Sequence, residues 1–152
     1  MSRKFAFFAL PLLVLVAVAT TRAQQPPPTV VEVYKSATCG CCSKWVEHLK
    51  QNGFTVKATD VADINEVKTR HGVPAEGASC HTALVGGYVV EGHVPAASVR
   101  RLLRERPAVV GIAVPGMPIG SPGMEGPNPE AYDVLSFDKA GALKVYQSIR
   151  PN

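Results

Sequence analysis

The sequence carries little charge, and almost no excess of either sign lies outside its first 23 residues. Charged residues make up 18% of the 152 residues, and the formal net charge is +4. Three basic residues, Arg3, Lys4 and Arg22, precede every acidic residue, and the rest of the chain holds 13 basic residues against 12 acidic ones. Nucleic-acid binding depends on clustered Lys and Arg, which only residues 100–106 approach. We therefore expect no nucleic-acid partner.

Long apolar runs are scarce, and the most prominent one lies at the start of the chain. Residues 5–18 form an apolar run of about 14 residues, which is short of the ~20 needed to span a bilayer. Two basic residues precede this run, and the small residues Thr21 and Ala23 follow it. This is the pattern of a secretory signal peptide over residues 1–23. We expect an exported protein without stable membrane insertion after cleavage, with residues 24–29 as an extended leader and residues 30–152 as the domain.

Motifs of several common enzyme classes are missing as well. The chain has no Ser/His/Asp pattern, no phosphate-binding loop and no carboxylate pair suited to acid–base catalysis. Hydrophobic residues nevertheless make up 46% of the chain, which excludes disorder as the state of the whole molecule. Because the protein is expected to be exported into an oxidising compartment, where unprotected thiols tend to pair, the four cysteines are the most informative residues about function.

Hydrophobic periodicity predicts alternating strands and helices through most of the chain. The predicted strands cover residues 30–34, 54–61, 82–85, 88–91 and 109–114. The predicted helices cover residues 42–52, a short stretch beginning at Asp63, and residues 96–106. The order of the elements up to residue 106 is strand, cysteine loop, helix, strand, helix, hairpin, helix. This order predicts an α/β, thioredoxin-like domain with a central mixed sheet flanked by helices.

The C-terminal part lies outside this order. Residues 115–129 are rich in Gly and Pro and predict an irregular loop. Residues 132–137 and 143–149 predict a β-hairpin, whose position relative to the domain the sequence pattern leaves open.

Three cysteines stand within four residues, at the predicted start of the first helix. Cys39 and Cys42 form a C-x-x-C pair, and Cys41 lies between them. A helix N-terminus favours the thiolate, because the helix dipole and free N–H groups lower the cysteine pKa. Such a pair suits a redox enzyme with one attacking and one resolving cysteine, whereas the third thiol suits a soft metal ion. Two structural disulfides are the remaining alternative.

Cys80 precedes the strand that opens the predicted hairpin. In thioredoxin-like domains the start of this strand lies beside the C-x-x-C loop, usually with a cis-proline. Here Ser79, Cys80, His81 and Thr82 occupy the position, and no proline is present. A fourth thiol in place of that proline weakens the oxidoreductase interpretation and favours a metal site. Neighbouring residues in a strand point to opposite faces, so we expect His81 to point away if Cys80 faces the loop.

The methionines and the other histidines are weaker candidates. After the initiator, the chain has only Met117 and Met124, each in a Pro-Gly-Met phrase of the irregular loop. Thioethers favour Cu(I), although packing within the loop is the alternative. His93 follows the predicted hairpin and suits either a ligand or a hydrogen-bonded turn residue. We expect His48 on the solvated face of the first helix, and His71, at the end of the short helix, in a surface or capping role.

Together these motifs resemble the CopG family of small exported proteins found with bacterial copper-resistance systems. The resemblance spans residues 30–125 and rests on Tyr34-Lys35, Cys39-Gly40-Cys41-Cys42, Ser79-Cys80-His81-Thr82, Glu91-Gly92-His93-Val94-Pro95 and Pro115-Gly116-Met117-Pro118. It implies a thioredoxin-like fold, a periplasmic location and a multinuclear Cu(I) site. The implied ligands are the four cysteines, with three auxiliary residues: Met117, Met124 and His93.

The resemblance also implies a role in copper resistance, with interconversion of Cu(I) and Cu(II) and with other periplasmic copper-resistance proteins as partners. Two alternatives stay open at this point. One is a thiol–disulfide oxidoreductase in which Cys39 attacks and Cys42 resolves. The other is a copper chaperone or buffer without enzymatic activity.

Overall fold

The computed structural model describes residues 29–151. The predicted signal peptide, and the predicted leader apart from Thr29, lie outside the described residues. The strands are β1 Val30–Lys35, β2 Thr55–Asp60, β3 Thr82–Val85, β4 Tyr88–Glu91, β5 Gly111–Ala113, β6 Tyr132–Phe137 and β7 Leu143–Ile149. The helices are α1 Gly40–Gln51, α2 Ile64–Arg70 and α3 Ala96–Glu105. No helix among these residues is long and apolar enough to cross a membrane.

All seven strands form one mixed sheet in the order β2-β1-β3-β4-β5-β6-β7. Strand β1 pairs in parallel with β2 and antiparallel with β3, and β4 pairs antiparallel with β3. These four strands, with the three helices, confirm the predicted α/β, thioredoxin-like arrangement. The C-terminal hairpin, which the sequence pattern left unplaced, continues the same sheet, because β6 pairs with β5 through Ile112 and Ser136.

The two faces of the sheet carry different helices. Alternate strand residues such as Val33 and Ile112 pack with Trp45 of α1 and Leu102 of α3, and all four side chains are fully buried. The opposite face carries a smaller apolar cluster and helix α2, whose Lys68 reaches the side chains of β3 and β4. Burial of the apolar stripes of α1 and α3 on one face orients the first turn of α1 relative to the sheet.

Helix α1 begins two residues earlier than predicted. Cys39 is the residue before the helix, with an extended backbone and no side-chain cap. The backbone N–H of Ser43 donates to the carbonyl oxygen of Cys39, so the first turn closes over the cysteine motif. The fully buried Cys42, Trp45 and Leu49 share one face, as the spacing predicts. Cys41 and Cys42 therefore lie inside the first turn, where N–H groups have no intrahelical partner.

Candidate metal centre

The first turn of α1 holds three of the four cysteines. Cys39 and Cys42 are joined by a disulfide whose Cα atoms are 5.3 Å apart. Cys41 and Cys80 are free thiols, and both are half-buried. The Sγ atom of Cys41 lies 3.5 Å from that of Cys39. The motif therefore presents one disulfide with a free thiol in van der Waals contact beside it.

The segment before β3 brings Cys80 to this turn. Its Sγ atom lies 4.0 Å from the Sγ atom of Cys41, although 39 residues separate the two in sequence. The Sγ atom of Cys42 lies 3.9 Å from the Cys80 carbonyl oxygen. All four Sγ atoms lie within 4.8 Å of one another. Once the Cys39–Cys42 disulfide is reduced, four thiols at this separation form a cluster that is capable of binding metal ions.

His93 lies directly beside Cys80. Its Nε2 atom is 3.0 Å from the Cys80 Sγ atom, and its Nδ1 atom is 2.8 Å from the carbonyl oxygen of Pro122. Because a carbonyl oxygen only accepts, Nδ1 carries the hydrogen and Nε2 of the neutral ring offers its lone pair to the cluster. Burial lowers the pKa of His93, which favours this neutral form. The Pro122 contact is the kind that orients a metal-binding imidazole.

The expectation for His81 is wrong. Its Nδ1 atom lies 3.3 Å from the Cys80 Sγ atom, so both side chains reach the same region. The physical reason is that β3 begins at Thr82, so the alternation of a paired strand does not constrain the two residues before it. The His81 ring packs on Trp45, with ring centroids 4.4 Å apart. The sequence did contain a signal that His81 lies near the site, because His81 is adjacent to Cys80 and precedes the predicted strand.

His81 and His93 define a second candidate group with Cys80. One ligand atom from each of these three residues lies within 4.8 Å of the others. The Nε2 atom of His81 is buried and has no hydrogen-bond partner among the described residues. Burial lowers the pKa of His81 well below its ordinary value, so this ring is neutral. Cys80 therefore belongs both to an all-sulfur group and to a group with one sulfur and two imidazoles.

The two methionines occupy unequal positions. Met124 is half-buried and, with Cys41, lines a cavity of about 460 Å³. The Met117 side chain is 50% exposed, and it follows Gly116, whose carbonyl oxygen accepts a hydrogen bond from Ser79. The structure thus places Met124 on a cavity that Cys41 also lines, and places Met117 on an exposed part of the loop that contacts Ser79 through Gly116.

The remaining histidines lie away from the cysteines. His48 is half-buried, not solvated as expected, because its Nε2 atom accepts a hydrogen bond of 3.1 Å from the backbone N–H of Ala96 at the start of α3. Burial lowers the pKa of His48. His71 terminates α2, in agreement with the expected capping position. The His48 ring contacts the start of α3 and the His71 backbone ends α2, and neither imidazole belongs to the two candidate metal-binding groups.

The electrostatics of Cys80 favour a thiol in the metal-free protein. Burial and the neighbouring Cys41 raise the pKa of Cys80 to about 12. A metal ion binds the thiolate, so binding at Cys80 releases a proton. In the reduced protein, the donor set of four sulfurs and two neutral imidazoles suits soft and borderline ions such as Cu(I), Cu(II) and Zn(II). The residues present therefore fit a copper site.

The fold and the site together define a class of protein, a thioredoxin-like domain with a metal-binding cysteine cluster at the start of its first helix. A family model described as "Protein of unknown function, DUF411" matches residues 77–124, which include Cys80, His93 and both methionines of the loop. No curated protein matches the chain.

Two solved structures are similar to the whole domain. One, named "Copper resistance protein copG- Form 2", is 47% identical, with a TM-score of 0.77 over 81% of this chain and 99% of that chain. The other, named "Copper resistance protein copG- Form 1", is 46% identical, with a TM-score of 0.76 over 82% and 99% of the two chains. This chain belongs to the CopG family, as its motifs indicate.

Proposed function

We propose that this protein is an exported, periplasmic copper-binding protein of copper resistance, which holds Cu(I) in a multinuclear thiolate cluster. The observation that carries the proposal is the gathering of four cysteine sulfurs within 4.8 Å of one another. Thiolates favour Cu(I) strongly, and sulfurs this close together are able to bridge neighbouring ions. The names of the related structures, which describe copper resistance proteins, support the choice of copper.

The proposed ligands are Cys39, Cys41, Cys42 and Cys80, with His93 as the nearest imidazole. Met124 is the thioether that lines the same cavity as Cys41, and Met117 completes the auxiliary set from the exposed part of the loop. Imidazoles accommodate Cu(II) as well as Cu(I). A cluster in which Cys80 lies between sulfur and nitrogen donors therefore supports interconversion of the two oxidation states.

The disulfide favours a second candidate function, thiol–disulfide exchange. Cys39 and Cys42 are bonded to each other, as in an oxidised C-x-x-C enzyme. Reduction of this bond takes two electrons and two protons and yields two thiols. The free Cys41 thiol lies 3.5 Å from the Cys39 sulfur, where it competes with any external thiol for that atom. The same reduction converts two bonded sulfurs into two thiols, so it also prepares the copper cluster.

Counting the bound copper distinguishes the candidates. The protein is fully reduced, loaded anaerobically with Cu(I), desalted and analysed for copper per chain. More than two tightly held ions support a bridged cluster, whereas one ion indicates a chaperone or buffer. No bound copper, together with rapid exchange with a test disulfide, assigns the protein to the oxidoreductases.

A Cys41→Ser variant sharpens this test. Serine keeps the size of the side chain but removes the sulfur that lies between Cys39 and Cys80. We expect this variant to lose full copper loading, whereas a C-x-x-C oxidoreductase tolerates it. Full loading by Cys41→Ser contradicts the multithiolate cluster.

A further inference from the structure

A buried ion pair lies beneath the segment that carries Cys80. Lys68 of α2 and Glu91 of β4 are paired, and their side chains are 8% and 0% exposed. The Lys68 Nζ atom also donates to the Thr82 Oγ1 atom at 3.1 Å. Taking two charges out of water costs more than their attraction usually returns, so a buried pair by itself is a poor source of stability. The burial of this pair is therefore better explained by a role other than stabilisation of the fold.

The Glu91 carboxylate has two further partners, one on each side of the metal-binding segment. Its Oε1 atom accepts a hydrogen bond of 2.7 Å from the backbone N–H of Ser79. Its Oε2 atom accepts one of 2.7 Å from the Thr82 hydroxyl. Ser79 and Thr82 immediately flank Cys80 and His81. One buried carboxylate thus fixes both ends of the two-residue segment that presents a thiol and an imidazole to the site.

We propose that Glu91, held in place by Lys68, is a positioning residue that sets the location of Cys80 and His81 against the cysteine loop. This inference rests on the proposed copper-binding function. A charge-assisted hydrogen bond to the Ser79 N–H group restrains the segment where a thioredoxin-like domain usually has a cis-proline. The sequence of this segment contains no proline, so no proline ring constrains it.

Two double variants separate positioning from a purely structural role. Lys68→Met/Glu91→Gln removes both charges but keeps a side-chain carbonyl that accepts from the Ser79 N–H group. Lys68→Met/Glu91→Leu removes the same charges and also removes this acceptor. Because neither variant leaves an unpaired buried charge, both are expected to fold. The Gln variant is the conservative control for the Leu variant.

Two measurements are made on each full-length variant. Competition with a Cu(I) chelator is expected to show affinity about 10- to 100-fold weaker for the Leu variant than for the Gln variant, the usual effect of losing a group that orients a metal ligand. In the metal-free protein, hydrogen exchange of the Ser79 amide and alkylation of Cys80 are expected to be faster in the Leu variant. Equal copper affinity and equal exchange in the two folded variants overturn the proposal.

The metal-free measurements keep the two proposals separate. If the wild-type protein binds no copper, the proposed function fails, and the exchange and alkylation rates alone decide the positioning role. Should the Leu variant fail to fold, Glu91→Asp replaces it, because aspartate keeps the charge opposite Lys68 but withdraws the carboxylate from Ser79. Faster Ser79 exchange in Glu91→Asp supports the positioning role, and an unchanged rate overturns it.

Discussion

The loop that follows β5 is predicted to depend on one glycine for its close approach to the candidate metal centre. Gly123 has a φ of +88° and packs against the first turn of α1. A Cβ atom at this position lies 2.7 Å from the carbonyl oxygen of Cys41 and 3.0 Å from the backbone nitrogen of Trp45. It also lies 3.3 Å from the Nδ1 atom of His93. Gly123→Ala therefore forces the loop, the helix or the imidazole to move.

Gly116 provides a matched control, because it occupies the same position in the other Pro-Gly-Met motif of the loop. Its φ is +66°, but a Cβ atom added there meets nothing within 4 Å. Gly116→Ala therefore carries only the cost of a left-handed backbone, about 1–2 kcal/mol. Gly123→Ala carries this cost and an overpacking cost of about 1–3 kcal/mol, because its nearest contacts are backbone atoms. We expect a total loss of about 2–5 kcal/mol for Gly123→Ala.

Urea unfolding of the metal-free, disulfide-intact variants measures this difference directly. The midpoint should fall further for Gly123→Ala than for Gly116→Ala, with the slope unchanged. Copper retention against a chelator should fall only for Gly123→Ala, because displacement of the loop removes the Pro122 contact that orients His93. Equal loss of stability in the two variants, with equal copper retention, refutes the close approach of the loop to α1.

Three further predictions concern the proposed copper ligands. Reduction of the Cys39–Cys42 disulfide should raise the copper bound per chain, because two more thiolates become available; equal copper content of the oxidised and reduced forms argues against these two ligands. Cu(I) affinity should rise with pH, because Cys80, whose pKa is raised to about 12, is protonated at neutral pH and loses its proton on binding. Chelator competition at two neutral pH values tests this, and a pH-independent affinity argues against Cys80. Met117→Leu and Met124→Leu should both weaken Cu(I) retention, and Met124→Leu more so, because only Met124 lines the cavity beside Cys41; an unchanged retention removes that methionine from the site.

Local sequence patterns determined most of the elements of the domain. The predicted hairpin over residues 82–91 coincides with β3 and β4, and the predicted C-terminal strands coincide with β6 and β7. The spacing of Cys42, Trp45 and Leu49 identified the buried face of α1. These predictions succeeded because helix and strand periodicity depends on residues only a few positions apart. The position of the cysteine motif at a helix start was predictable for the same reason, because it depends only on neighbouring residues.

Tertiary packing decided how these elements meet. The 4.0 Å approach of Cys41 and Cys80 bridges 39 residues, and it depends on the packing of α1 against the sheet. The attachment of the C-terminal hairpin to β5, and the different surroundings of Met117 and Met124, depend on the same kind of distant contact. The orientation of His81 followed from where β3 begins, and residue type alone does not determine that point.

The Lys68–Glu91 pair shows most clearly how local sequence patterns differ from tertiary packing in what they determine. In the sequence these are two ordinary charged residues, 23 positions apart, on a predicted helix and a predicted strand. Only the packing of α2 on the sheet buries both and aims the Glu91 carboxylate at Ser79. Local spacing in the sequence by itself identified the cysteine motif and its candidate ligands, but not His81 or the Lys68–Glu91 pair. The tertiary structure decided which of them share a site, because that depends on packing between segments far apart in the chain.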